Sequence, residues 1–80
     1  MQTIFVMVKC ELGQSYEVAE AARERIEEAS EVYSISGQYD LIMKFHLDQG
    51  VDIGRFVNSR VQVLDGVKDT FTLITFKAFG

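Results

Sequence analysis

Ser36-Gly37-Gln38-Tyr39-Asp40 stands near the middle of the chain, between two runs of strand-forming residues. Val32-Tyr33-Ser34-Ile35 precedes it and Leu41-Ile42-Met43-Lys44-Phe45 follows it. Glycine, a polar residue and an aspartate between two such runs is hairpin chemistry, because glycine reaches backbone conformations that other residues resist and aspartate bonds its own backbone. With a hairpin at the centre, the flanks decide the fold.

Upstream, Ile4-Phe5-Val6-Met7-Val8 is continuously apolar, β-branched or aromatic, and predicts a strand buried on both faces. Lys9, Glu11 and Gly13 bring the chain to the surface and turn it. Ser15 is the expected N-cap of a helix over 16–29, with Glu17 favourably placed in its first turn. Tyr16, Ala19, Ala22, Ile26 and Ala29 fall three or four apart and predict its inner stripe. The glutamates between them form a solvated face, with Arg23 and Arg25 interleaved to soften their repulsion.

Downstream, a strand over 41–47 puts Leu41, Met43, Phe45 and Leu47 on one face and Asp40, Ile42, Lys44 and His46 on the other. Asp52 is placed to cap a second helix whose inner stripe is Ile53, Phe56, Val57, Val61 and Leu64. Asp65-Gly66 stops that helix, and residues 67–79 predict a long last strand. The order is strand, helix, strand, strand, helix, strand. Right-handed crossovers make this an α+β, ferredoxin-like βαββαβ sandwich, a four-stranded antiparallel sheet with both helices on one face.

In a lone domain of this kind the second sheet face is wet and its strands alternate to polar residues. Here the first strand does not alternate, and the last is apolar or threonine on both sides. A second copy of the sheet is the simplest cover, so a dimeric α+β barrel is expected.

The bulk composition narrows the function. Eighty residues make one small domain, and the single cysteine, Cys10, excludes an internal disulfide. Cys10 and His46 are too few soft ligands for a structural zinc, so no metal and no cofactor is expected. The net charge of −4 and the lack of a basic stripe argue against nucleic-acid binding. Neither a membrane span nor the basic start of a secretory signal is visible, and a lone thiol fits the reducing cytoplasm. No glycine pattern matches a nucleotide fingerprint, and the third strand lacks the aromatics of an RNA-recognition sheet.

The central turn holds the candidate site. Asp40 can accept from an ammonium group, Tyr39 presents a hydroxyl and a ring, and Gly37 lets a carboxylate approach backbone N–H groups. These are the needs of a free α-amino acid, although the same residues also suffice to make a turn.

Gly37-Gln38-Tyr39-Asp40-Leu41 resembles the Gly-x-Tyr-Asp turn of the Lrp/AsnC family's C-terminal effector domain, the RAM module. The resemblance spans essentially the whole chain, including Val32, the helix from Ile53 to Leu64 ending at Gly66-Val67, and the strand Thr70-Phe71-Thr72-Leu73-Ile74-Thr75. It implies a sandwich that dimerises through its sheets, with dimers assembling into an octameric or decameric ring. It also implies an amino-acid effector at subunit contacts beside the turn. Carried over by position, Gly37, Tyr39 and Asp40 are candidate ligand-binding residues, with Ser36 and Gln38 as neighbours and Thr70 and Thr72 as a polar wall. The chain opens on the first strand with no helix-turn-helix before it. The expectation is therefore a stand-alone module that binds no DNA directly and that could join full-length Lrp/AsnC regulators.

Two other readings share this strand order. A small dimeric α+β barrel enzyme, of the monooxygenase or isomerase kind, would make His46 or Tyr39 catalytic and would need a roomy cavity between helices and sheet. An ACT-like regulatory module would bind its amino acid nearer the first strand–helix loop, here Glu11-Leu12-Gly13-Gln14.

Overall fold

A computed structural model of the chain describes residues 1–79. The elements are β1 (Gln2–Cys10), α1 (Ser15–Arg25), β2 (Ala29–Ser34), β3 (Leu41–Leu47), α2 (Ile53–Phe56), a π-helical turn (Val57–Val61) and β4 (Val67–Ile74). The four strands form one sheet in the order β2-β3-β1-β4, and every neighbouring pair is antiparallel. This is the expected ferredoxin-like arrangement.

Register divides the sheet into two faces, because residues paired across an antiparallel ladder point the same way. Ile4 opposes Phe45, Val6 opposes Met43, and Val8 opposes Leu41. All six are buried, together with Val18 and Ala22 of α1 and Phe56, Val57, Val61 and Leu64 of the second helical segment. The helices therefore lie on this face, and the space between them and the sheet is filled. The Phe45 and Phe56 rings meet edge to face at 5.3 Å at its centre.

The other face is open. Phe5, Met7 and Ile42 are half-buried on it, and Tyr33, Phe71 and Leu73 lie exposed beside them. β1 is therefore buried on its helix side and only half-covered on the other. The second apolar side read from its sequence is a property of the open face. Polar chemistry on that face is local. Lys44 pairs with Glu31 at 3.5 Å and sits 5.9 Å from the Phe5 ring centre, and Tyr33 donates to Glu31 at 2.8 Å.

Several boundaries differ from the sequence reading. The first helix ends at Arg25, and Ala29 opens β2 instead of closing the helix. Its inner stripe runs through Val18, Ala22 and the capping Ile26, one side chain every four residues. Tyr16 stands about 200° around the helix from Val18 and is 90% exposed, so it leaves the stripe. Ser15 lies inside the first turn; Gln14 precedes the helix and makes no side-chain cap. β4 ends at Ile74 rather than reaching Phe79.

Asp52 caps the second helix as expected, accepting from the Arg55 N–H at 3.0 Å. That helix soon widens into the π turn, closed by Gln62 N–H donating to the Val57 carbonyl at 2.9 Å. Phe56 and Val61 are both buried although five residues apart, a spacing of about 140° in an α-helix. The wider turn brings both side chains to the core. At Gly66 the backbone takes φ +93, and a Cβ there would lie 2.9 Å from Val18. Only glycine lets this loop close against α1.

Candidate functional site

The strand order places the end of β1 beside the start of β3. Around that corner the central turn is anchored by backbone bonds. Ile35 N–H donates to the Asp40 carbonyl at 3.0 Å, and Asp40 N–H donates to the Val8 carbonyl at 2.9 Å. Six residues thus span the gap, Gly37 taking φ +105 at its tip with open space where a side chain would begin. Ser36, Gly37 and Gln38 are exposed, whereas Tyr39 and Asp40 are half-buried.

Asp40 turns its carboxylate toward β1 and accepts from the Cys10 main-chain N–H at 2.8 Å through Oδ2. The bond is charge-assisted and fixes the carboxylate in the lining of a cleft of about 440 Å³. The loop from Cys10 to Ser15 walls this cleft on one side, and Lys9 and Lys68 bring two cations to it, with Glu11 as a second carboxylate. Lys68 reaches it because the β1–β4 ladder slips between Lys9 and Cys10, pairing Lys9 with Asp69 and Cys10 with Val67 and leaving Lys68 outside the register. The Cys10–Ser15 loop is itself tied down by Glu11 N–H donating to the Gly66 carbonyl at 2.8 Å. Both signs of charge therefore converge on one small concavity, an arrangement that suits a zwitterion.

Cys10 also lines the cleft. Burial pushes its thiol above the ordinary value, the Asp40 charge pushes it further, and a hydrogen bond with Ser15 opposes both. The thiol is thus kept protonated, as a small apolar wall.

Tyr39 goes the other way. Its ring packs against Phe71 with centroids 6.2 Å apart, and Phe71 opposes Met7 on the open sheet face. Thr70 and Thr72 oppose Val8 and Val6, so both lie on the helix side. Thr70 Oγ1 accepts from Gln62 Nε2 at 2.7 Å. Of the sequence-predicted residues, the cleft gathers only Asp40; Ser36, Gly37 and Gln38 stand at the exposed tip, Tyr39 faces the open sheet, and Thr70 and Thr72 sit farther along β4. The first strand–helix loop, the region weighed for an ACT-like module, borders the same cleft as Asp40.

Lys9, Cys10 and Lys68 were not singled out by sequence as ligand contacts. The signal was topological: in this strand order the residue before β3 must meet the residues ending β1. His46 lies on the open face, where Nδ1 is 3.1 Å from Thr3 Oγ1, away from the filled space under the helices. Among the described residues no cluster of three His, Cys, Asp or Glu side chains could hold a metal, and no helix is long and apolar enough to cross a membrane.

Comparison with known proteins agrees with the fold. The model of the Lrp/AsnC ligand binding domain matches residues 3–79. The HTH-type transcriptional regulator FL11 of Pyrococcus furiosus is 30% identical over 73 residues, covering 91% of this chain and 47% of the relative. The chain thus spans about half the length of the curated relatives it matches. The crystal structure of TTHA0845 from Thermus thermophilus superposes with a TM-score of 0.88 at 31% identity, covering 100% of this chain and 99% of that one. The transcriptional regulator NMB0573 of Neisseria meningitidis, solved as a complex with L-Met, shares the fold at a TM-score of 0.78 and 18% identity, over 99% of this chain and 52% of that one.

Proposed function

The chain belongs to the Lrp/AsnC ligand-binding domain family, and from that premise we propose that it is a non-enzymatic, cytoplasmic sensor of an amino acid. The effector occupies the cleft at Asp40. Its ammonium group is accepted by the Asp40 oxygen that Cys10 leaves open, and its carboxylate lies toward Lys68. One observation carries this reading: a half-buried carboxylate, oriented by a main-chain N–H, lines the same cleft of about 440 Å³ as two lysines. The exposed turn at Gly37 and Gln38, with Ser36, forms the rim that a neighbouring subunit covers. Thr70 and Thr72 contribute to the wall of an adjacent subunit's site. The Neisseria regulator's complex with L-Met supports an amino acid as the ligand class.

The module assembles through its open sheet face, first as a dimer and then as a ring of octamer or decamer size. Apolar Phe5, Met7, Phe71 and Leu73 on that face support this. It acts on transcription through mixed assemblies with full-length Lrp/AsnC regulators, and the net charge of −4 disfavours direct contact of this domain with DNA. The filled core and the placement of His46 away from it favour a binding module over a barrel enzyme.

The test is a thermal-shift screen of all the common amino acids at millimolar concentration, paired with light scattering. At least one should raise the melting temperature of the wild-type chain, and Asp40→Asn should abolish that rise. No shift with any amino acid, together with a monomeric mass throughout, would refute the reading.

A further inference from the structure

We infer that the free edge of β2, with the acidic flank of α1 beside it, is a docking surface for an extended, lysine- or arginine-rich segment of another polypeptide. β2 is one of the two edge strands, the other being β4, and pairs only with β3, so its outward backbone groups are unpaired within the sheet. Such an edge is a template for an added strand, and chains usually blunt it with proline or lysine. β2 carries neither: Ser30, Glu31, Tyr33 and Ser34 are exposed along it. Its pairing with β3 is regular from Glu31 to Ser34, beyond the irregularity at Ala29.

An open depression of about 690 Å³ runs between this strand and α1. Half-buried Ala19 and Val32 make its apolar floor, and exposed Tyr16, Glu17, Glu20, Arg23 and Glu24 stand around it. Apolar side chains and the aliphatic stems of lysine or arginine fit such a floor while their charged ends meet the carboxylates.

Charge selects the occupant. Six of the twelve carboxylates and two of the eight cationic side chains lie between Ser15 and Ser34; elsewhere six acids balance six bases. The whole net charge of −4 is thus concentrated on α1, β2 and the turn between them. Glu28 and Glu31 are matched by Arg60 and Lys44, whereas Glu17, Glu20, Glu24 and Glu27 make no ion pair among the described residues. The same concentration disfavours the pairing of two β2 edges, which would meet with like charge.

The experiment uses the 80-residue chain and a fluorescently labelled seven-residue peptide alternating lysine and valine, read by anisotropy. The peptide should bind, bind more weakly as salt rises, and lose about tenfold in affinity against a Glu20→Lys/Glu24→Lys variant. A peptide N-methylated on alternate amides should lose binding, because strand addition needs those N–H groups. Both substitutions are on exposed positions, and circular dichroism checks that the variant folds. Four results would each overturn the proposal: no binding at millimolar peptide, equal binding of a glutamate–valine peptide, unchanged affinity of the N-methylated peptide, or a variant whose loss of affinity tracks a change in oligomer mass. The last would mark this edge as a contact between copies.

Discussion

Replacing Asp40 by alanine and, separately, by asparagine distinguishes two tasks of one carboxylate. In the folded chain Oδ2 accepts from the Cys10 N–H at 2.8 Å. A hydrogen bond to a charged group contributes roughly 1.5–3 kcal/mol, and the half-buried position of Asp40 points to the lower end. Asp40→Ala should therefore destabilise the chain by about 1.5 kcal/mol. For a domain of this size each kcal/mol moves the midpoint by about 4–8 °C, so the variant should melt about 6–12 °C lower. Asparagine keeps an acceptor for the Cys10 N–H, at neutral strength, and should lose only about 0.5–1 kcal/mol. Ligand response should sort the variants differently. An effector at about ten times its dissociation constant stabilises by about 1.4 kcal/mol in the wild type, and should do nothing for either variant if the charge is what it reads. The assay is thermal unfolding by circular dichroism, at one fixed protein concentration, with and without the effector. An asparagine variant that keeps the full ligand shift would refute the ammonium role. An alanine variant that melts within about a degree of the wild type would refute the bond to Cys10.

Three further outcomes test other parts of the molecule. Gly66→Ala must hold φ +93 with its Cβ 2.9 Å from Val18, and should lower stability by about 1–3 kcal/mol in urea unfolding; an unchanged midpoint would disprove the close approach. The Cys10 thiol is raised by burial, so its contribution is complete below the ordinary value of 9.0 and is lost as pH climbs above it. Accordingly, iodoacetamide at about pH 8 should alkylate the native chain far more slowly than the urea-unfolded chain, and equal rates would contradict the burial. Leu73→Glu puts a charge on the open sheet face and should reduce the mass seen by light scattering, while an unaltered mass would remove that face from the proposed assembly.

The fold was legible in the sequence because its main signals are periodic. The core face of β3 and the Asp52 cap follow from spacing and residue type alone, whereas the second helical segment closes at Val61, short of the stop expected at Asp65-Gly66. What was misread came from competition between patterns. Ala29 continues the three- and four-residue spacing of α1, yet Ile26 already takes extended backbone and the chain turns into β2. Tyr16 fits an i, i+3 pattern with Ala19, but the core takes Val18 in its place, beside the expected Ala22 and Ile26. The π turn had no local signal, since it answers to where Phe56 and Val61 must point. At the candidate site, Asp40 could be found from the turn itself. Its partner at Cys10 and the lysines that line the same cleft are set by strand order and by a slipped ladder, which no local motif encodes.

Tyr39 and Asp40 share one peptide unit and serve two surfaces. The Tyr39 ring rests against Phe71 on the open sheet face, and the Asp40 carboxylate reaches the cleft at the end of β1. A peptide plane is rigid, so tilting it at one end moves the other. If effector binding at Asp40 favours the Tyr39 position that suits assembly, then by reciprocity assembly tightens the effector. The apparent affinity would then rise with the concentration of the protein itself. A cell could adjust its sensitivity to the effector by how many copies it makes, without altering a single residue of the cleft.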